Sequence, residues 1–222
     1  IYDTSDFSLE LAVGKISALL DGGELKMTLR IIKSLAPMAV RNDNPDLIAV
    51  NNGIFNYKEK KLLPFSPDYI FLTKSKIDFN PKAKLVDITM PDGEIWNVET
   101  WLNSLSDDKE VVNSLWEITS AILRPHVSWN KAIFLYSPIG NNGKGTYCEL
   151  LRNLLGANAY SSISIKNFSK EFMLTPLLKV NAVIADENET QNYLENAENF
   201  KSAVTGDYLR INIKNKEPKD LV

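Results

Sequence analysis

Between residues 134 and 146 the chain reads Phe-Leu-Tyr-Ser-Pro-Ile-Gly-Asn-Asn-Gly-Lys-Gly-Thr: an apolar run, a turn rich in glycine and asparagine, then a lysine where a helix opens. These are the parts with which a chain cradles a phosphate, in the right order. Backbone amides of Gly140, Asn141, Asn142 and Gly143 form an anion nest, and the helix N-terminus adds partial positive charge. Lys144 supplies a mobile point charge for the β- and γ-phosphates. Glycines let the backbone approach the ligand without a Cβ in the way. Two positions depart from the G-x-x-x-x-G-K-S/T spacing. Pro138 stands where the first glycine is expected, and Gly145 stands where a hydroxyl should follow the lysine. Thr146 comes one residue later, rotated by about 100° around the helix. The bland alternative is a turn that only caps a helix.

A second signal is Val180-Asn-Ala-Val-Ile-Ala-Asp186-Glu187, an apolar run ending in two carboxylates. Ligands of open α/β sheets bind at the carboxyl ends of the strands, which is where this pair is expected. Asp186 would hold Mg²⁺, with Thr146 as a second candidate ligand, and Glu187 would orient or deprotonate the attacking water. A third signal lies at the C-terminal end. Over residues 201–219, Lys201, Arg210, Lys214, Lys216 and Lys219 face only Asp207 and Glu217, a local balance of +3 in a chain whose net charge is −3. A hairpin carrying these side chains can grip a phosphodiester backbone without reading bases. A solvated charged turn is the alternative.

The elements that must position these groups follow from periodicity. Residues 5–40 show helical spacing, interrupted at Gly22-Gly23, with a second helix from Leu25 to Leu35. Residues 46–77 break into short extended runs, Leu47–Val50, Ile54–Tyr57, Leu62-Leu63 and Tyr69–Leu72, read as an antiparallel meander. Residues 78–98 read as a polar connector. Ser106 is the expected cap of a helix that Pro125 ends. Beyond Trp129 the pattern becomes α/β: buried strands at 132–136, 162–165 and 180–185, helices at 144–155, 168–179 and 193–204, and a hairpin from Tyr208 with its tip at Lys214–Lys216. The domain reading is a helical region over 1–45, a small α+β domain over 46–130, and a core over 131–222.

Composition narrows the classes. The chain has 222 residues, 44% hydrophobic and 24% charged, as in ordinary globular proteins. One cysteine excludes an internal disulfide, and one histidine beside it excludes a His/Cys zinc cluster. No apolar run approaches the ~20 residues of a membrane helix. Neither end carries a start or closing signal, and the expectation is a fragment of a longer cytoplasmic protein.

Taken together, the motifs resemble the poxvirus- and satellite-phage-type primase-helicases of phages and plasmids, whose motor is a superfamily 3 helicase. The family's phosphate loop is similar to Gly140-Asn141-Asn142-Gly143-Lys144-Gly145-Thr146. Its acidic motif resembles Asp186-Glu187, and the stretch after it resembles Lys201, Thr205-Gly206-Asp207 and Lys214. Asn51–Asn56, Leu63-Pro64 and the helix after Trp101 resemble the small domain before the motor. The resemblance implies a P-loop NTPase core of the AAA+-like superfamily 3 type, cut short at its C-terminal side and preceded by a small α+β domain. It implies ATP and Mg²⁺ as cofactors, translocation on single-stranded DNA during replication, a hexameric assembly, an upstream primase domain and no membrane. It also implies a sensor strand and an arginine finger beyond residue 222. Without that strand, the sheet is expected to be gapped or its strands to pair directly, with apolar surface exposed. Two other classes remain open: a small-molecule P-loop kinase, and a non-catalytic DNA-binding or assembly module with a degenerate loop.

Overall fold

The computed structural model of the chain describes residues 6–17, 19–36, 40–185 and 197–221. They form two compact units, one of residues 1–42 with 66–72, the other of 43–65 with 73–222.

In the first unit, α1 (Asp6–Ile16) precedes α2 (Gly22–Leu35). The Gly22-Gly23 pair, expected to separate two helices, instead forms the first turn of α2. The reason is a reciprocal cap. Asp21 accepts from the amides of Gly23 at 2.7 Å and Glu24 at 2.8 Å, and Glu24 returns to the Asp21 amide at 3.0 Å. Such a box offsets the roughly 1 kcal/mol that a helical glycine costs. The Tyr69–Leu72 run also differs from expectation. It joins this unit rather than the meander, through a parallel bridge between Ile70 and Arg41.

The second unit opens with the meander, β1 (Leu47–Val50), β2 (Gly53–Asn56) and β3 (Lys61–Leu63), antiparallel in that order. A Cβ at Gly53 would collide with the Leu63 carbonyl, so the turn after Asn51-Asn52 requires glycine there. Asn52 pairs with the backbone of Phe79 in both directions, at 3.0 and 2.9 Å, and Phe79 stacks on Phe55 with centroids 4.2 Å apart. The connector is therefore not featureless. It contains a small hairpin, β4 (Ile88–Thr89) and β5 (Ile95–Trp96), turning at Asp92-Gly93. Then α3 (Val98–Ser104) begins on a capping box between Asn97 and Thr100. α4 (Lys109–Ala121) is capped by Asp108, not Ser106; the Ser106 hydroxyl instead accepts from the Asp108 amide at 3.1 Å. After α4, Arg124 reaches back to the Pro45 carbonyl and the Asp46 carboxylate, each at 3.3 Å, and lies 4.0 Å over the Tyr57 ring.

Next come α5 (Lys144–Leu155), β6 (Tyr160–Ser161), β7 (Ala182–Val183), α6 (Glu198–Thr205), β8 (Leu209–Ile213) and β9 (Lys216–Leu221). The 168–179 stretch, expected to be one interrupted helix, instead contains the end of one 3₁₀ turn, Ile165–Ser169, and the whole of a second, Thr175–Leu178. β6 and β7 pair in parallel over two residues each. The largest departure is at 132–136. This run forms no strand among the described residues, and Ile133, Phe134 and Tyr136 are 52%, 65% and 87% exposed. A central parallel strand needs a ladder on each side. Among the described residues no strand pairs with this run, and β6 and β7 form a two-stranded sheet of their own.

One core joins Leu102 of α3, Leu115 of α4, Tyr147, Cys148, Leu151 and Leu155 of α5, Ala159 and Ile184. A second joins Ile163, Phe168, Leu174, Leu209 and Ile211, with Phe200 of α6 edge-on to Phe168. α5 is gripped along its length. The Tyr147 hydroxyl donates to the Leu115 carbonyl at 2.6 Å and lies 3.1 Å from the Thr119 hydroxyl. At the other end, the buried Ser75 hydroxyl donates to the Leu154 carbonyl at 2.5 Å.

Burial pushes the Tyr147 hydroxyl above its ordinary pKa of 10.0, against a smaller opposing pull from its hydrogen bond to Thr119. The neutral phenol is thus favoured in the folded state. Above about pH 10 the unfolded chain releases this proton first, and stability falls. Tyr147→Phe is expected to cost about 1 kcal/mol near neutral pH, roughly 2–4 °C in melting temperature. The gap from wild type should shrink as pH rises past 10. Melting curves from pH 7 to about 11 check both the size and the direction.

Candidate functional site

The residues expected to bind phosphate, Gly140 to Thr146, lie in one turn and the first turn of the helix after it. Asn141 has φ 53° and Gly143 φ 82°, so two left-handed residues flank Asn142. Such backbone is easy for glycine and tolerated by asparagine, which accounts for those residue types here. The Asn142 side chain spans the turn: its amide donates to the Ile139 carbonyl, and its oxygen accepts from the Lys144 ammonium at 2.8 Å. Lys144 is half-buried at the first position of α5. Gly143 makes no side-chain cap hydrogen bond, and the first turn of α5 carries no acidic residue. The opening amides of the helix are therefore free of side-chain competition for an anion. A Cβ at Gly140 or Gly145 would meet nothing within 4 Å, so the turn is open on those sides.

These features suit the triphosphate of a nucleotide: open glycines, uncapped helix amides and one lysine drawn up to the turn. A divalent metal is a separate matter. Asp186 and Glu187 lie outside the described residues. Among the described residues, no group of three or more His, Cys, Asp or Glu could hold a metal ion. Thr146 is exposed in the first turn of α5.

The basic residues sit on the second core. Lys201 is exposed on α6, which packs through Phe200 and Ala203 against β8 and the 3₁₀ turns. The β8–β9 hairpin buries Leu209 and Ile211 on one face and exposes Arg210 on the other. Lys214 and Asn215 form its tip, Asn215 with φ 59°, and Lys216 begins β9. Arg210 stands directly across from Asp220, one residue beyond the window over which the charge was counted. Asp220 also accepts from Tyr208 at 2.6 Å, a bond that raises the Tyr208 hydroxyl above its ordinary range. The positive charge with no acidic residue opposite it in the register thus lies on Lys214 at the tip and on Lys216 and Lys219 of β9, more than on Arg210.

Sequence reasoning missed the supports of this site. Leu105 lies against Gly143, and Ser75 holds the far end of α5. Neither residue type has a periodic or motif signature. Only the need for a glycine at 143 hinted that another element comes close.

Two family models match the chain. Residues 16–107 match one described as D5 N terminal like, and residues 135–222 match one described as a family of unknown function, DUF5906. Each covers less than half of the chain. The first is a domain associated with phage and viral primase-helicase proteins, in agreement with the resemblance noted for Asn51–Asn56, Leu63-Pro64 and the helix after Trp101. No curated protein matches the chain.

Asn142→Ala leaves the Lys144 ammonium and the Ile139 carbonyl without their shared partner. The turn should loosen, and affinity for a triphosphate should fall roughly tenfold for about 1.4 kcal/mol of lost organisation. Titration of a fluorescent ATP analogue measures this; an unchanged Kd would remove Asn142 from the site.

Proposed function

We propose that this chain is part of an ATP-dependent DNA helicase of the primase-helicase type, built on a P-loop core of the superfamily 3 class. The observation that carries the reading is the turn from Gly140 to Gly143 feeding the uncapped start of α5, with Lys144 half-buried and bonded to Asn142. The D5 N terminal like match over residues 16–107 supports it independently.

In this reading the amides of 140–146 and the Lys144 ammonium bind the phosphates of ATP. Lys144 offsets the charge that builds on them as the γ-phosphoryl departs. Magnesium, when bound, would neutralise phosphate charge, with Asp186 the residue assigned to hold it. Glu187 is assigned to the proton of the attacking water. Lys214 and Lys216 at the hairpin tip, with Lys201 and Arg210, contact the backbone of single-stranded DNA. Subunits assemble as a ring, with a primase domain upstream. One feature favours a second reading, a non-catalytic assembly module with a degenerate loop: the 132–136 run before the loop is unpaired and exposed.

Binding of an ATP analogue separates the two. Wild type should bind and Lys144→Ala should lose at least tenfold in affinity; equal, negligible binding by both would favour the degenerate module. For the DNA contact, Lys214→Glu with Lys216→Glu should weaken binding of a single-stranded oligonucleotide at every sequence tested. The double variant should also flatten the salt dependence, by about two units of slope or fewer. A wild-type affinity that does not change with salt would exclude a backbone contact.

A further inference from the structure

Of the three glycines at 140, 143 and 145, Gly143 alone has another element in the way of a side chain. A Cβ built on it would lie 2.5 Å from Cδ2 of Leu105, whereas Cβ atoms at 140 and 145 would meet nothing. Leu105 ends α3, where its amide donates to the Leu102 carbonyl at 3.2 Å. Its position is not loose. α3 starts from the Asn97–Thr100 box, and the Asn97 side chain is itself held by Asp87 at 2.8 Å. Leu102, three residues before Leu105, is fully buried in the core that contains Tyr147. Four residues after Gly143, Tyr147 is tied to Leu115 of α4.

The α3–α4 pair therefore holds the start of α5 at two points, one apolar at Gly143 and one polar at Tyr147. Between them lie Lys144, Gly145 and Thr146 in the uncapped first turn of α5, whose amides bind the phosphates in the reading above. We propose that Leu105 is a positioning residue for the phosphate turn. Its δ-methyl backs the left-handed Gly143, and so fixes the direction of the amides at 143–145 and the reach of Lys144 through Asn142. The contact also runs from the segment matching the D5 N terminal like model to the segment carrying the loop. The part of the chain before the loop thereby governs how well the loop binds. This inference rests on the nucleotide-binding reading above and adds to it the residue that sets the turn.

The test compares four variants of the whole chain, with a fluorescent ATP analogue and inorganic tripolyphosphate as probes. Leu105→Ala should weaken both probes about tenfold, since small displacements in a positioned site are costly. Leu105→Met, which keeps reach and volume, should restore binding to within about twofold. Val112→Ala, a truncation at a buried site of the neighbouring α4 outside the core cluster that contains Tyr147, should lower the melting temperature and leave both affinities unchanged. Should Leu105→Ala not fold by circular dichroism, Leu105→Val carries the same comparison. If wild type binds, Lys144→Ala does not, and Leu105→Ala binds as wild type, the positioning role is overturned and the nucleotide site stands. Equal weakening by Val112→Ala, or failure of Leu105→Met to restore binding, also overturns it. If wild type and Lys144→Ala are alike in not binding, the nucleotide reading itself fails and this inference falls with it.

Discussion

One buried phenol holds the centre of the larger unit together. Tyr147 is 1% exposed, and its hydroxyl donates to the backbone carbonyl of Leu115 inside an otherwise apolar core. A polar group in such a place is costly unless bonded, so the bond fixes the distance and rotation between α4 and α5 rather than merely adding stability. Tyr147 lies in the first turn of α5. Whatever sets its position sets the opening of the helix, and with it the glycine-rich turn that precedes it. The far end of α5 is held by Ser75 on the Leu154 carbonyl, and nearby Thr73 reaches Asn181. Elements that precede the loop in sequence thus support the loop's helix at both ends.

Within that frame one side chain ties the turn together. Asn142 bridges the Ile139 carbonyl and the Lys144 ammonium, so the lysine is drawn toward the turn rather than extended into solvent. A ligand anion that engages Lys144 competes with a single neutral amide oxygen, a weaker partner than a carboxylate. Such an arrangement keeps the cation near its task without neutralising it. At the hairpin, Arg210 stands across from Asp220 in the strand register, whereas Lys216 and Lys219 stand across from Ile213 and Ile211.

The gap around residues 132–136 is a matter of pairing geometry. The run has the composition of a buried parallel strand, and a strand of that kind is stable only between neighbours that complete its backbone hydrogen bonds. Among the described residues the run pairs with no strand, leaves Ile133, Phe134 and Tyr136 in solvent, and turns only Leu135 toward the core. An exposed apolar edge of this kind is a site where another strand adds or where chains associate.

What the sequence determined by itself was local. The helix from Lys144 to Leu155, the β1–β2–β3 meander and the hairpin tip at Lys214–Lys216 were legible because periodicity and turn residues act over a few positions. The glycines and asparagines of the phosphate turn were legible for the same reason, since left-handed backbone selects them. Other features were decided only by tertiary structure. Gly22-Gly23 became helix because Asp21 and Glu24 closed a cap around them. Tyr69–Leu72 left the meander for the other unit. Residues 132–136 stayed unpaired because strand formation depends on partners far along the chain. The support of the turn by Leu105 and Tyr147 is of this second kind, since packing between distant side chains leaves no period or motif in the sequence that makes it.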